Sequence, residues 1–108
     1  MIHFGSPRVG NENFAKFVDQ KIPTKMRHTH RKDIVVHNPS ELFPFDFYHI
    51  SNEIFEDKNG VYNTCSGGED KHCADQYSVD VSISDHLVYL DHCTGSGCGQ
   101  CHAKGMAV

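Results

Sequence analysis

The sequence predicts an α/β fold class, with a parallel βαβ unit followed by an antiparallel hairpin and a cysteine-containing tail. A short apolar segment at residues 2–4 precedes a helical pattern over 11–22, and a β-rich segment runs from 25 to 36. A strand, a helix and a second strand within about 35 residues are the parts of a βαβ unit, whose crossover is right-handed.

Each part of this unit carries its own local signal. Pro7 and the glycines on either side of it predict a loop over residues 5–10. Asn11 or Asn13 can cap the helix that follows, and Pro23 ends it. Four apolar residues fall at helical spacing between these limits: Phe14, Phe17, Val18 and Ile22. The strand after the helix leads into Asp33.

The rest of the chain has weaker patterns. Residues 48–55 and 61–64 predict a hairpin, because the Asn59-Gly60 pair between them suits the positive φ values of a tight turn. Residues 65–84 are polar and acidic without clear periodicity, and residues 86–90 form a short apolar segment. The last residues, 94–108, are small and polar, so we expect a flexible tail.

Composition excludes several classes of function. The 108 residues are 38% apolar, enough for one small core, and the net charge is −4 with 10 Lys and Arg against 14 Asp and Glu. Without a basic excess, nucleic acid is not expected as a partner. No apolar run is long enough for a transmembrane segment, and the first residues lack the pattern of a signal peptide.

Cysteine and histidine are unusually frequent, with five Cys and nine His, and all five Cys follow residue 64. Such clustering indicates disulfides or a metal site. Residues 98–102 match the C-x-x-C-H haem-attachment pattern, but too few residues follow to enclose a porphyrin. Cys93, Cys98, Cys101 and His102 could instead hold zinc, which makes a small zinc-binding module an alternative. We expect no cofactor.

Asp33 and His86 are the candidate catalytic pair. Asp33 ends a predicted strand, at the edge where parallel α/β sheets place functional groups, and His86 heads the last apolar segment. Taken alone, a surface Asp and a loop His are more often structural. Their order matches an α/β-type triad, which runs Ser, Asp, His along the chain, but no serine lies in a G-x-S-x-G nucleophile elbow.

Four stretches together carry a resemblance. They are residues 4–11 (FGSPRVGN), 27–35 (RHTHRKDIV), 48–55 (YHISNEIF) and 84–89 (SDHLVY). In this order they resemble the signature segments of the fungal-type or class 3 triacylglycerol lipase family. The match covers residues 4–90 and leaves out the chain after Cys93.

The resemblance implies that residues 1–92 are the C-terminal half of an α/β-hydrolase domain and that 93–108 form a Cys- and Gly-rich tail. It assigns the triad Asp to Asp33 and the triad His to His86, and gives His30 and His37 no catalytic position. In the family, the nucleophile, oxyanion-hole residues and lid precede the first of these stretches. We therefore expect part of a lipase or esterase that acts on acylglycerols and is inactive alone.

Two further expectations concern cysteines and location. Cys65 and Cys73 bracket a short polar loop whose ends can approach disulfide geometry, so we expect them to pair. Family resemblance and cysteine content favour an extracellular location for the complete protein. Besides the zinc module, a catalytically inactive interaction protein with the same fold remains an alternative.

Overall fold

A computed structural model describes residues 1–94. Two 3-10 turns, Val35–His37 and Ala74–Gln76, lie between its helices and strands. In chain order those elements are β1 (Ile2–Phe4), α1 (Glu12–Lys21), β2 (Met26–His30), β3 (Glu53–Glu56), β4 (Tyr62–Thr64), α2 (Ile83–His86), β5 (Val88–Tyr89) and β6 (His92–Cys93).

The central feature is a four-stranded sheet in the order β1-β2-β3-β4. Strands β1, β2 and β3 are parallel, with Phe4 opposite His28 and Arg27 opposite Glu53. Strand β4 runs antiparallel to β3, and Phe55 is opposite Asn63. The predicted βαβ unit and hairpin are therefore confirmed, although the first hairpin strand is shorter than predicted and begins at residue 53.

Helix α1 begins and ends where its capping residues predict. The Asn11 side chain accepts a hydrogen bond from the Phe14 backbone N–H at 2.9 Å, and the chain leaves the helix at Ile22, just before Pro23. The predicted apolar face is only partly covered, since Phe14 and Phe17 are 41% and 55% exposed. Val18 and Ile22 line an open groove of about 260 Å³ beside β1.

Strand β2 ends earlier than the sequence predicts. Arg31 has a φ of 48°, in the left-handed region, and this breaks the extended backbone after His30. Asp33 therefore lies in a turn beyond the strand and not at its last position, and the predicted strand residues Val35 and Val36 belong to a 3-10 turn.

The two faces of the sheet differ in character because successive strand residues point to opposite sides. On one face, Arg27 donates a hydrogen bond to Glu53 at 3.2 Å, and both residues are almost completely buried. On the other face, the His28 ring contacts three aromatic rings, each with its centroid 5.4 Å away: Phe4, Tyr62 and Tyr89.

A disulfide joins Cys65 to Cys73 and closes the loop after β4. Cys73 is buried in a small apolar cluster with Val36, Phe55 and Ala74. A disulfide across a loop this short restricts the unfolded chain and holds the loop against the sheet. Through Cys73 and Ala74 this loop contributes to the core, although its sequence has no hydrophobic periodicity.

The last described elements were not predicted in detail. Residues 86–90 divide between the end of α2 and strand β5, which pairs with β6 in a second, two-stranded sheet. Strand β6 crosses the predicted boundary between residues 92 and 93, and the predicted division into 1–92 and 93–108 stays a prediction. Within residues 1–94, no helix has the length and apolar character to cross a membrane.

Candidate active site

The turn after β2 presents Asp33. Its backbone N–H donates to the His30 carbonyl at 3.1 Å, and its Oδ1 accepts the Val35 backbone N–H at 2.7 Å. The residue is completely buried. Because an ionised carboxylate without partners would be costly here, the hydrogen bonds to both oxygens define its position.

Helix α2 brings His86 to the same point. Ser82, which caps α2 through a bond from the Asp85 N–H, forms an isolated parallel bridge with Asp33. In this bridge the Ser82 N–H donates to the Lys32 carbonyl at 2.6 Å, and the Ile34 N–H donates to the Ser82 carbonyl at 3.2 Å. The short helix therefore starts beside the Asp33 turn.

Asp85 fastens α2 to the end of β2. Its Oδ2 accepts the Lys32 backbone N–H at 3.1 Å, and its carbonyl accepts the His30 Nδ1–H at 2.8 Å. His30 is thus a structural residue beside the site, and His37 contributes its carbonyl oxygen to Arg8. Nothing in the sequence indicates that Asp85 contacts His30. Asp85 stands out there only as the residue before His86.

The candidate pair meets across 53 residues of sequence. His86 Nδ1 lies 2.8 Å from Asp33 Oδ2. Since the carboxylate can only accept, Nδ1 carries the proton and Nε2 of a neutral ring has its lone pair free. Within residues 1–94, Nε2 makes no hydrogen bond, and the His86 side chain is 32% exposed. This arrangement suits a general base whose tautomer is set by a carboxylate.

Tyr89 is a third residue of the candidate site, beside Asp33 and His86, and the sequence alone assigned it no role. Its hydroxyl donates to Asp33 Oδ2 at 2.5 Å, so that oxygen accepts from both Tyr89 and His86. Burial, reinforced by the hydrogen bond to Asp33, raises the pKa of the Tyr89 hydroxyl well above its usual range. The hydroxyl therefore remains a donor. The sequence did contain a signal for Tyr89, because this tyrosine is the last residue of the Asp-His-x-x-Tyr segment.

Replacing Tyr89 with phenylalanine should remove one donor from a buried carboxylate. We expect the free energy of unfolding to fall by about 1–3 kcal/mol, the usual cost of a lost hydrogen bond to a charged group. Urea unfolding at neutral pH measures it. Tyr62→Phe is the control, because Tyr62 is 50% exposed and its hydroxyl makes no hydrogen bond to residues 1–94. Equal losses in the two variants would contradict the assigned hydrogen bond.

Two groups of possible metal ligands lie in the described part of the chain. The carboxylates of one group, Glu41, Glu69 and Asp75, already pair with Arg8 and Lys71. Glu53, Cys65 and Cys73 lie close together, but the two sulfurs are bonded to each other. Cys93 is also disulfide-bonded, and a sulfur in a disulfide is not the thiolate that zinc requires. The remaining members of the predicted zinc and haem motifs, Cys98, Cys101 and His102, lie outside the described residues.

Comparison with known proteins agrees with this geometry. A family model described as Lipase (class 3) matches residues 1–43. The lipase of Rhizopus niveus is 36% identical over 92 residues, which are 85% of this chain and 24% of that protein. The chain is similar to class 3 lipases over most of its length. The family and fold predictions are thereby confirmed.

Other lipases extend the similarity. The secreted mono- and diacylglycerol lipase MDL3 of Malassezia globosa is 36% identical over 105 residues, 94% of this chain and 34% of that protein. A solved triacylglycerol lipase with a serine-protease triad as its catalytic centre superposes with a TM-score of 0.74 at 30% identity, over 87% of this chain and 36% of the other. The α/β-hydrolase fold is shared, and the chain spans between 24% and 34% of the curated relatives it matches.

Proposed function

We propose that this chain supplies the Asp and His of a Ser-His-Asp lipase or esterase that acts on acylglycerols. The observation that carries the proposal is the contact between Asp33 Oδ2 and His86 Nδ1 at 2.8 Å. Similarity to a mono- and diacylglycerol lipase and to a triacylglycerol lipase with a serine-protease triad supports the substrate class. In this proposal the nucleophilic serine is supplied from outside these 108 residues, because none of their serines lies in a G-x-S-x-G elbow.

In the proposed reaction, His86 Nε2 takes the proton of the serine hydroxyl as the oxygen attacks the ester carbonyl. The same proton then passes from Nε2 to the departing alcohol, which leaves an acyl-enzyme. A second cycle, with water in place of serine, releases the fatty acid. Asp33 keeps Nδ1 protonated and stabilises the imidazolium, while Tyr89 holds the carboxylate in place.

The proposal includes two consequences for the protein as a whole. Without a serine in a nucleophile elbow and without the oxyanion donors of the family, the 108-residue chain alone should have no esterase turnover above background. An extracellular location is supported by the disulfide between Cys65 and Cys73 and by the secreted relative MDL3, because disulfides persist in oxidising compartments.

Nitrogen NMR of the imidazoles tests the pair without requiring activity. In the wild-type chain, His86 should be the Nδ1–H tautomer. In Asp33→Asn, the amide oxygen should remain on the Val35 N–H, so the NH₂ group faces His86 and the ring should change to the Nε2–H tautomer. An Nε2–H tautomer of His86 in the wild-type chain would exclude the proposed role.

A chimera tests the catalytic role directly. Residues 1–108 replace the matched segment of the Rhizopus niveus lipase, and hydrolysis of a soluble ester is measured. We expect turnover that His86→Ala lowers by at least about a thousandfold, as for other triad histidines. Lys16→Ala, a change on the exposed side of α1, is the control. If the 108-residue chain alone hydrolyses the ester and His86→Ala abolishes this activity, another nucleophile is present and the proposal fails.

A further inference from the structure

Arg8 binds three consecutive carbonyl groups in the segment that follows Asp33. Its Nη1 donates to the carbonyl oxygens of His37 at 2.5 Å and of Pro39 at 3.0 Å. The carbonyl between them, that of Asn38, accepts the backbone N–H of Arg8 at 2.8 Å. One residue from the loop after β1 therefore holds the backbone that leaves the Asp33 turn.

His49 holds the preceding carbonyl in the same way. Its Nε2 donates to the Val36 carbonyl at 2.5 Å, and its ring is buried. Four carbonyls in a row, at residues 36–39, thus accept hydrogen bonds from only two residues, Arg8 and His49. Both donors come from elements outside the turn itself.

Glu69 connects the two donors. Its carboxylate accepts Arg8 Nε at 2.9 Å and Nη2 at 2.8 Å, and it also accepts the His49 backbone N–H at 2.8 Å. The Arg8 and Glu69 side chains are only 3% and 6% exposed. Burial alone would lower the pKa of the guanidinium, but the hydrogen bond and charge of Glu69 outweigh it and raise that pKa. The Arg8 guanidinium therefore stays charged.

Such a buried ion pair is weak evidence for stability, because desolvation of two charges offsets much of their attraction. What Arg8 provides in this place is geometry. Its planar fork presents five N–H groups, four of which are directed at Glu69 and the two carbonyls. A lysine ammonium has three donors and cannot reproduce this fork.

We propose that Arg8, Glu69 and His49 form a positioning clamp for the Asp33 carboxylate. The main-chain bridge to Ser82 holds the first half of the Asp33 turn, through Lys32 and Ile34. Residues 36–39 have only the 3-10 turn Val35–His37 as regular structure of their own, and the clamp anchors this second half. It keeps the Val35 N–H on Asp33 Oδ1 and so aims Oδ2 at His86. This inference rests on the proposed function only in the role given to Asp33 as a catalytic residue.

Hydrogen exchange measures this anchorage in the full chain. The observable is the exchange rate of the Val35 amide, which donates to Asp33, divided by that of the Phe55 amide in the buried sheet. Arg8→Lys should raise this ratio by at least about tenfold, since it removes more than one hydrogen bond from the turn. It should also reduce the Nδ1–H tautomer population of His86.

Lys25→Met is the matched control. Lys25 is also a buried cation, with a side chain 2% exposed and paired with Asp19 at 2.9 Å, but it lies before β2, at the opposite end from Asp33. We expect it to lower global stability without changing the exchange ratio of Val35 to Phe55. This separates a positioning role from a merely structural one.

The outcomes are distinct. An Arg8→Lys variant in which Val35 and Phe55 exchange faster by the same factor overturns the clamp. If Arg8→Lys does not fold, Glu69→Gln is measured in its place, because it keeps the size of the side chain but leaves only one oxygen to accept hydrogen bonds. The ratio of the Val35 to the Phe55 exchange rate should then rise severalfold. An unchanged ratio overturns the clamp. A wild-type His86 without the Nδ1–H tautomer contradicts the proposed function, whereas the Val35 ratio still measures the clamp alone.

Discussion

Replacing Gly5 with alanine is expected to destabilise the chain more than any other glycine substitution at a positive φ in the described residues. Gly5 has a φ of 62°, where a side chain strains the backbone. An added Cβ would lie 2.9 Å from Asp33 Oδ2 and 2.8 Å from the Tyr89 hydroxyl oxygen. We expect a loss of about 3 kcal/mol, from about 1 kcal/mol of backbone strain and about 2 kcal/mol of overpacking.

Gly60→Ala isolates the backbone contribution. Gly60 has a φ of 77°, and nothing lies within 4 Å of the Cβ position. This variant should lose only about 1 kcal/mol in urea unfolding. Only Gly5→Ala should also disturb the His86 tautomer, because only there does the new methyl group meet the Asp33 carboxylate. Equal losses for Gly5→Ala and Gly60→Ala would mean that Asp33 and Tyr89 do not pack against the loop after β1.

Stability should fall steeply as the pH drops below neutrality, and His49 is the main single cause that we identify. Burial, followed by the positive charges of Arg27 and Arg8, lowers the pKa of His49 from 6.5 to about 2. The unfolded chain therefore takes up a proton below pH 6.5 that the folded chain does not. The contribution of His49 to the free energy of unfolding is fully present above pH 6.5 and is lost as the pH falls toward about 2. Between pH 7 and pH 5 this loss should amount to about 2 kcal/mol.

Three other histidines act in the same direction, since burial lowers the pKa values of His3, His28 and His37. Urea unfolding of wild type and His49→Gln at pH 7 and pH 5 separates the contribution of His49. Glutamine keeps an N–H donor for the Val36 carbonyl but does not titrate, so the variant should lose about 2 kcal/mol less than wild type over this range.

His72→Gln is the control, because the His72 side chain is 96% exposed. It should leave the loss between pH 7 and pH 5 at the wild-type value. A wild-type slope in His49→Gln would show that His49 takes up its proton in the folded chain as readily as in the unfolded one. Burial beside Arg27 and Arg8 would then not keep the His49 ring neutral in the folded chain.

Local signals in the sequence were sufficient for the parts of the fold that depend on neighbouring residues. Asn11 or Asn13 predicted the start of α1, where Asn11 proves to be the cap, and Pro23 predicted its end. Capping and the restriction before proline both act within a few residues. Asn59 and Gly60 predicted the turn between β3 and β4 for the same reason. The end of β2 was misplaced, because the left-handed conformation of Arg31 has no signal in its residue type.

The sequence by itself determined the βαβ unit, the hairpin, the family and the identity of Asp33 and His86 as the candidate pair. Only the tertiary structure decided how Asp33 is held, through Tyr89 and Arg8, whose partners lie 56 and about 30 residues away along the chain. Hydrogen bonds of this range have no period and no spacing in the sequence. They arise when the turn after β2, the loop after β1 and the residues after α2 meet at one edge of the sheet.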